Sequence, residues 1–465
     1  MSPLGTESNP LHVAIVGAGP AGFYAAERLM KEKDFAVEVD MYERLPTPFG
    51  LVRYGVAPDH QKIKSVTAAF DRTAKRPNFH FYGNVEYGTD MTLDDLKKHY
   101  HQIIFTTGAQ TDRMLDIPGE DLVGSYPATE FVAWYNGHPD FHDCQFDLTQ
   151  EKVAVVGIGN VAIDVARILS LTPQELARTD MADYAIEALS KSNVKEVHIL
   201  GRRGPAQAAF TPIEIKELGE LEDCDIVILP EEAALDPLSE ASLADADRNT
   251  VRDVEIVQEL SAREPTGKSK TLYLRFLVSP TRIDGDDNGH VAGMELVHNE
   301  LYKTDTGTLR PRATDVTEYL DVGIVFRSIG YRGVPLPGIP FHERWGVILN
   351  DQGRIVDSDT REPVVGLYTA GWIKRGPSGV IGTNKPDSAE TVELMLEDAR
   401  AGKVLQPSQP SLEETEADVH DHQPDFISYA NWQKLDAYEV AQGKAADRPR
   451  IKVTDVADML KIAEE

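Results

Sequence analysis

Short apolar strands that run into glycine turns and then into amphipathic helices recur along this chain, and the first of them sets the pattern. Leu11, Val13, Ile15 and Val16 form a strand entering Gly17-Ala18-Gly19-Pro20-Ala21-Gly22, and Phe23, Ala26 and Met30 place one apolar helix face behind it. A second strand, 36 to 42, ends on Glu43, which lies 21 residues beyond Gly22. Strand, glycine turn, helix, strand and acid in that order predict a dinucleotide-binding unit. Gly17 permits the tight turn, Gly19 lets backbone approach a pyrophosphate, and Gly22 lets helix and strand pack closely. The amides at the helix N-terminus then face the negative charge. Glu43 suits a ribose 2'-hydroxyl and repels a 2'-phosphate, so this first turn fits FAD or NAD and disfavours NADP.

The pattern returns after the strand 152 to 156, as Gly157-Ile158-Gly159-Asn160-Val161-Ala162 followed by a helix through Ile163, Ala166 and Leu169. Alanine is an accepted third residue of the turn. The next strand, 194 to 200, ends on Gly201-Arg202-Arg203-Gly204, with two guanidiniums where the first unit has its carboxylate. Paired guanidiniums make bidentate, charge-assisted bonds to a 2'-phosphate, so the second turn is expected to prefer NADP. Two such units predict two nucleotide domains facing one another, a flavin exchanging electrons with a nicotinamide.

Between and beyond these units the pattern is looser. Residues 44 to 60, punctuated by Pro46, Pro48, Gly50 and Gly55, read as a structured loop. Residues 63 to 73 read as helix, 79 to 87 as extended, and Thr92 as the start of a helix with Asp94 and Asp95 in its first turn. The stretch 101 to 109 reads as a buried strand, 172 to 193 as a polar insertion, and 222 to 263 as an acid-rich solvated face. Residues 273 to 278 and 293 to 296 read as added strands, and 321 to 330 and 366 to 371 as further buried strands ending in glycine. The glycine-rich turn 371 to 383 precedes a helix and offers a backbone-amide platform for an anion or a flavin ring. Residues 420 to 434 and 453 to 462 predict a helical tail packed on the first domain.

Composition narrows the chemistry. With 465 residues, 41 % of them apolar, the chain can build two large domains or about three smaller ones. Cys144 and Cys224 lie 80 residues apart, which leaves no dithiol pair and no zinc or iron–sulfur ligand set, so redox chemistry requires an organic cofactor and no metal is expected. A formal charge of −29 argues against nucleic acid and against an anionic membrane surface. No apolar run approaches the roughly 20 residues that span a bilayer, and the first ten residues do not read as a signal, so a cytoplasmic protein is expected.

Four blocks carry a closer resemblance: residues 48 to 60 (PFGLVRYGVAPDH), 157 to 167 (GIGNVAIDVAR), 201 to 214 (GRRGPAQAAFTPIE) and 370 to 384 (AGWIKRGPSGVIGTN). With them the chain, from about residue 11 to 400, resembles the adrenodoxin reductase family of ferredoxin–NADP reductases, its bacterial members included. The resemblance implies FAD contacts at Ala21, Glu43, Leu51 and Tyr87, and a flavin-side platform of Trp372 and Gly379-Val380-Ile381, with Gly379 also touching the nicotinamide. It implies NADP contacts at Arg113, Gly157 to Asn160, Arg202, Arg203 and Glu214. His60 and Asp164 match the pair that the family places near the flavin and nicotinamide, in an orienting or proton-handling role.

The resulting expectation is an α/β protein of two Rossmann-like domains, the NADP domain (110–329) inserted into a discontinuous FAD domain (1–109 and 330–465, with the helical tail). Its expected activity is hydride transfer from NADPH to FAD and single-electron transfer to a ferredoxin, in a monomer. Two alternatives are an NADPH oxidase or diaphorase with a quinone or small-molecule acceptor, and a flavin-containing subunit of a larger redox assembly. Because ferredoxins are acidic, Arg53, Lys62, Lys64, Lys374 and Arg375 are the candidates for a basic docking patch.

Overall fold

The computed structural model describes residues 3–465, which divide into two compact units. The first comprises 3–111, 136–139 and 331–465, and the second 112–135 and 140–330.

The first unit is built on a seven-stranded sheet in the order Asn350–Asp351, Arg354–Val356, Pro363–Thr369, Gln102–Phe105, Leu11–Val16, Val37–Glu43, Phe79–Gly83. The last five strands run parallel, with Leu11 opposite Val37 and Val13 opposite Gln102. Their near-continuous apolar sequences follow from burial on both faces. Leu11, Val13 and Ile15 point to a core shared with helices Pro20–Leu29, Asn384–Arg400 and Tyr429–Ala445, while Ala14 and Val16 point to the opposite core with Leu96 and Val419.

The second unit has a six-stranded parallel sheet in the order Ser125–Pro127, Ile324–Arg327, Lys152–Val156, Glu196–Leu200, Lys270–Arg275, Cys224–Val227. A separate antiparallel sheet, Val278–Gly285, Val291–Lys303 and Leu309–Leu320, completes it.

Several elements differ from the sequence reading. The loop 44–60 contains a single helical turn, Leu51–Tyr54, too short to show a period. The helix expected over 63–73 is interrupted, as Gln61–Lys64 and Thr67–Ala74. The supposed polar insertion 172–193 holds two short helices, Pro173–Leu176, started by a Thr172–Glu175 capping box, and Asp183–Ser190. These helices and the segment between them deliver Leu176, Met181, Ala185 and Leu189 to the core, four contributions spread too thinly among polar residues to read as one amphipathic face. The acid-rich stretch contains the strand Cys224–Val227 and the helix Arg248–Ser261, whose Val254, Ile256, Val257 and Leu260 are buried. Residues 420–434 belong to two helices, Leu412–His422 and Tyr429–Ala445, separated by a segment containing Pro424.

Candidate functional site

At the first glycine turn, Gly17 has φ +107° and lies against the Thr106 backbone, where a Cβ would approach to 2.9 Å. A Cβ on Gly22 would meet the Gly17 carbonyl oxygen at 2.3 Å, so glycine there sets the helix-to-turn distance. Gly19 is the opposite case, with no atom within 4 Å of its Cβ position. It is the N-cap of helix Pro20–Leu29 and no side chain caps that helix, so the turn is an open cradle whose first-turn amides await an anion. Glu43 closes one side. Its carboxylate accepts from the Ala18 amide at 2.9 Å and the Leu45 amide at 3.2 Å. Burial raises its pKa, and the two amides partly offset that rise.

Two distant segments fold onto this cradle. The Phe49 amide donates to the Ala18 carbonyl at 2.8 Å, and a Cβ on Gly50 would stand 3.1 Å from the Gly19 Cα, which sets Leu51 at the rim. From the other direction Gly371 (φ +79°) packs on Ala21, whose carbonyl also accepts from Ser388 Oγ at 2.9 Å. The Gly371 amide donates to Asp387 at 2.6 Å, and Trp372 Nε1 donates to the Ser378 carbonyl at 3.1 Å. Arg375 bonds Ser378 and Asn384, so the turn through Gly379 (φ +77°), Val380 and Ile381 is pinned at its base and open at its tip, with Val380 49 % exposed. Tyr87 is placed by other contacts: its hydroxyl donates to the Pro337 carbonyl at 2.7 Å and its ring meets Phe105 edge-on. His60 is the N-cap of Gln61–Lys64, its carbonyl accepting from the Ile63 and Lys64 amides.

In the second unit Gly157 has φ +134°, and a Cβ there would meet the Ser328 carbonyl oxygen at 2.1 Å. Gly159 again has nothing within 4 Å and caps helix Asn160–Ser170 without a side chain. Ile158 accepts from the Ala209 amide and packs where a Gly201 Cβ would stand, at 2.7 Å, which joins the turn to the arginine-bearing strand end. Arg202 is exposed and Arg203 half-buried, and neither has an ion pair among the described residues. Burial and then the Arg202 charge lower the Arg203 pKa, an unrelieved concentration of positive charge beside an open glycine cradle. Thr211 links this site to Glu214: its amide donates to Asn160 Oδ1 at 3.0 Å and its hydroxyl to the buried Glu214 carboxylate. Pro212 occupies the first position of helix Pro212–Leu218, where its missing amide costs nothing. Arg113 is exposed and its amide donates to the Gly330 carbonyl, two residues from Ser328. Asp164 accepts from Arg167 at 2.8 Å.

The expected basic patch does not form from the residues named for it. Arg53 is buried in a pair with Glu439, and Lys374 is buried among Asp387, Glu390 and Thr391. Lys64 is buried as well, and Arg375 is turned to its own loop. Of the five, only Lys62 is exposed. Thr106, Phe49, Thr211 and Ser388 are not legible in the sequence as site residues; each makes a contact to a segment distant in sequence. Among the described residues no cluster of three or more His, Cys, Asp or Glu could hold a metal ion.

Two open glycine cradles, one closed by a carboxylate and one by arginines, define a two-nucleotide flavoprotein reductase of the α/β class. A family profile described as pyridine nucleotide-disulphide oxidoreductase matches residues 11–204. The chain is 43 % identical to the NADPH-ferredoxin reductase FprA of Mycobacterium leprae over 97 % of its own length and 98 % of that protein. It is 39 % identical to the human mitochondrial NADPH:adrenodoxin oxidoreductase over 98 % and 93 %. The structure of Mycobacterium tuberculosis FprA in complex with NADPH superposes with a TM-score of 0.92 at 42 % identity, covering 98 % of this chain and all of that one. The chain therefore belongs to the adrenodoxin reductase-like family of ferredoxin–NADP reductases.

Proposed function

We propose that this protein is an FAD-dependent NADPH–ferredoxin reductase, with FAD on the first unit and NADP on the second. The observation that carries the assignment is the opposite charge at equivalent strand ends, Glu43 beside the first glycine cradle and Arg202-Arg203 beside the second. The family relationship supports the same pair of cofactors and a ferredoxin as acceptor.

The open Gly19 and Gly159 turns fit two pyrophosphates, since no protein atom occupies the space that each leaves beside uncapped helix amides. Glu43 would hold the FAD ribose, with Leu51 at the rim, Tyr87 as a further contact, and Trp372 with the Gly379–Ile381 turn supporting the ring system. Arg202 and Arg203 would clamp the 2'-phosphate of NADP, and Arg113 and Glu214 would fix the rest of the nucleotide. Bound FAD supplies a two-electron hydride acceptor that can give up electrons one at a time. His60 and Asp164 would orient the reacting groups or hold a proton near them; hydride transfer itself requires no protein acid. The same reading places the chain in the cytoplasm as a monomer. Among the described residues no helix is long and apolar enough to cross a membrane.

The test is steady-state cytochrome c reduction by the purified protein with NADPH, with and without a ferredoxin, across a salt series. Strong stimulation by ferredoxin is expected. Turnover indifferent to ferredoxin would favour a diaphorase, and absence of NADPH oxidation would refute the enzyme. Flavin identification after denaturation and size-exclusion chromatography check the cofactor and the monomer.

A further inference from the structure

The segment that closes the first cradle is held in an unfavourable backbone conformation. Phe49 has φ +85°, which bulky L-residues rarely adopt, and Gly50 has φ +48°. Such a conformation persists only where surrounding contacts over-determine it. Phe23 and Phe70 flank the Phe49 ring and Ala18 accepts from its amide, and further contacts come from the tail. Trp432 and Glu439, seven residues apart on one face of the tail helix Tyr429–Ala445, reach the segment at two points. The Trp432 ring meets the Phe49 ring edge-on at 5.9 Å and lies under the Arg53 guanidinium at 5.2 Å. The Glu439 carboxylate, fully buried, accepts from both terminal nitrogens of Arg53 at 2.8 and 2.5 Å. Its remaining capacity is taken by Arg450 Nη1 at 3.1 Å and the Val453 amide at 2.9 Å. Lys452 Nζ then donates to the Arg53 carbonyl at 3.1 Å, and a Thr47–Tyr54 hydroxyl contact of 2.8 Å closes the loop on itself.

We infer that Glu439 is a positioning residue for the flavin: through Arg53 it holds Phe49-Gly50-Leu51 against the Gly19 turn, so that helix Tyr429–Ala445 sets how tightly FAD is retained. A bidentate pair in a dry site fixes direction as well as distance, which a purely apolar contact does not. Removing one partner leaves the other charged and buried, whereas replacing both with apolar side chains removes that charge but not the Val453 amide and Arg450 donors that Glu439 also satisfies. The inference rests on the placement of FAD at the first glycine turn.

The experiment compares the wild-type holoenzyme with Glu439→Gln, Arg53→Met and the double variant Arg53→Met/Glu439→Met, measuring the FAD dissociation constant by return of flavin fluorescence on release and the NADP+ dissociation constant by difference absorbance. Each single variant should bind FAD at least tenfold more weakly with NADP+ binding changed less than twofold, and the double variant, which removes the orphaned charge without restoring a directed pair, should also stay at least tenfold weaker than the wild type. A second measurement needs no variant. Removing FAD from the wild-type protein should raise amide hydrogen exchange in 49–55 and 429–453 together while leaving 152–170 unchanged, because coupling between ligand and tail is reciprocal. Single variants that retain FAD like the wild type, a double variant that recovers wild-type FAD affinity, or exchange confined to the glycine turn would overturn the role of Glu439 and leave the FAD site standing. A wild-type protein with no affinity for FAD would overturn both.

Discussion

Replacing Arg202 and Arg203 by alanine removes the two positive charges beside the second cradle and nothing that the core depends on. Arg202 is exposed, so its charge-assisted contact to a 2'-phosphate should contribute about 1.5 kcal/mol, while half-buried Arg203 should contribute nearer to about 3 kcal/mol. Adjacent contacts to one phosphate are not fully additive, so the double variant should lose about 3 to 4 kcal/mol. At about 1.4 kcal/mol per factor of ten, kcat/KM for NADPH should fall by roughly two to three decades. NADH carries a hydroxyl at the same position, and its kcat/KM should change by less than about threefold. Arg203→Ala alone should exceed Arg202→Ala alone, since Arg203 is half-buried and Arg202 is exposed. Stopped-flow reduction with each nucleotide over a concentration series separates binding from hydride transfer. Equal losses with NADPH and NADH would refute the 2'-phosphate assignment, and so would a larger effect of Arg202.

Gly157→Ala and Gly159→Ala should behave differently although the positions are two apart. The first should destabilise by about 2 kcal/mol in thermal unfolding, because its Cβ would stand 2.1 Å from a carbonyl oxygen at φ +134°. The second should leave apo stability within about 0.5 kcal/mol and weaken NADP+ binding about tenfold or more, since its Cβ enters open space beside the helix amides. Burial acts to raise the Glu439 pKa, but Arg53 and Arg450 outweigh it and leave the group below its ordinary value of 4.5. Its stabilising contribution is therefore complete above about pH 4.5 and lost as pH falls through the folded value, so acid unfolding of the wild type should be steeper than that of Glu439→Gln. Asp253 shows the opposite sign: burial, then Glu214 and Asp247, push it up to about 7. The folded state holds that proton where the unfolded state has lost it, so stability falls as pH rises from 3.8 to about 7. The melting temperature of Asp253→Asn relative to wild type should rise between pH 5 and pH 8, and a pH-independent difference would contradict the assignment.

The net charge of −29 acquires a sharper meaning from the fate of the flanking cations. Arg53, Lys374 and Arg375 are consumed internally, each tying a loop near the first cradle to an acidic or carbonyl partner. Any attraction for an acidic ferredoxin must then come from other exposed cations, and salt dependence of ferredoxin-stimulated turnover measures how much of it exists.

The sequence alone determined both glycine turns, the strands that feed them and the charge that follows each, because these depend on local geometry: a turn that needs a missing side chain, a period of two or 3.6, a side chain at a strand end. The four family blocks were equally legible. What only the tertiary structure decided was which distant residues complete each cradle. Phe49 and Gly50 reach Gly19, Gly371 packs on the Ala21 Cβ, and the Thr211 amide bonds the Asn160 side chain, pairings between distant segments that no motif within either one specifies. The same is true of charge. Arg53 and Glu439 are 386 residues apart, and read singly each is a surface ion. Their meeting in a dry core, rather than their identity, turns a candidate docking cation into a clamp, and burial depends on the whole packed chain.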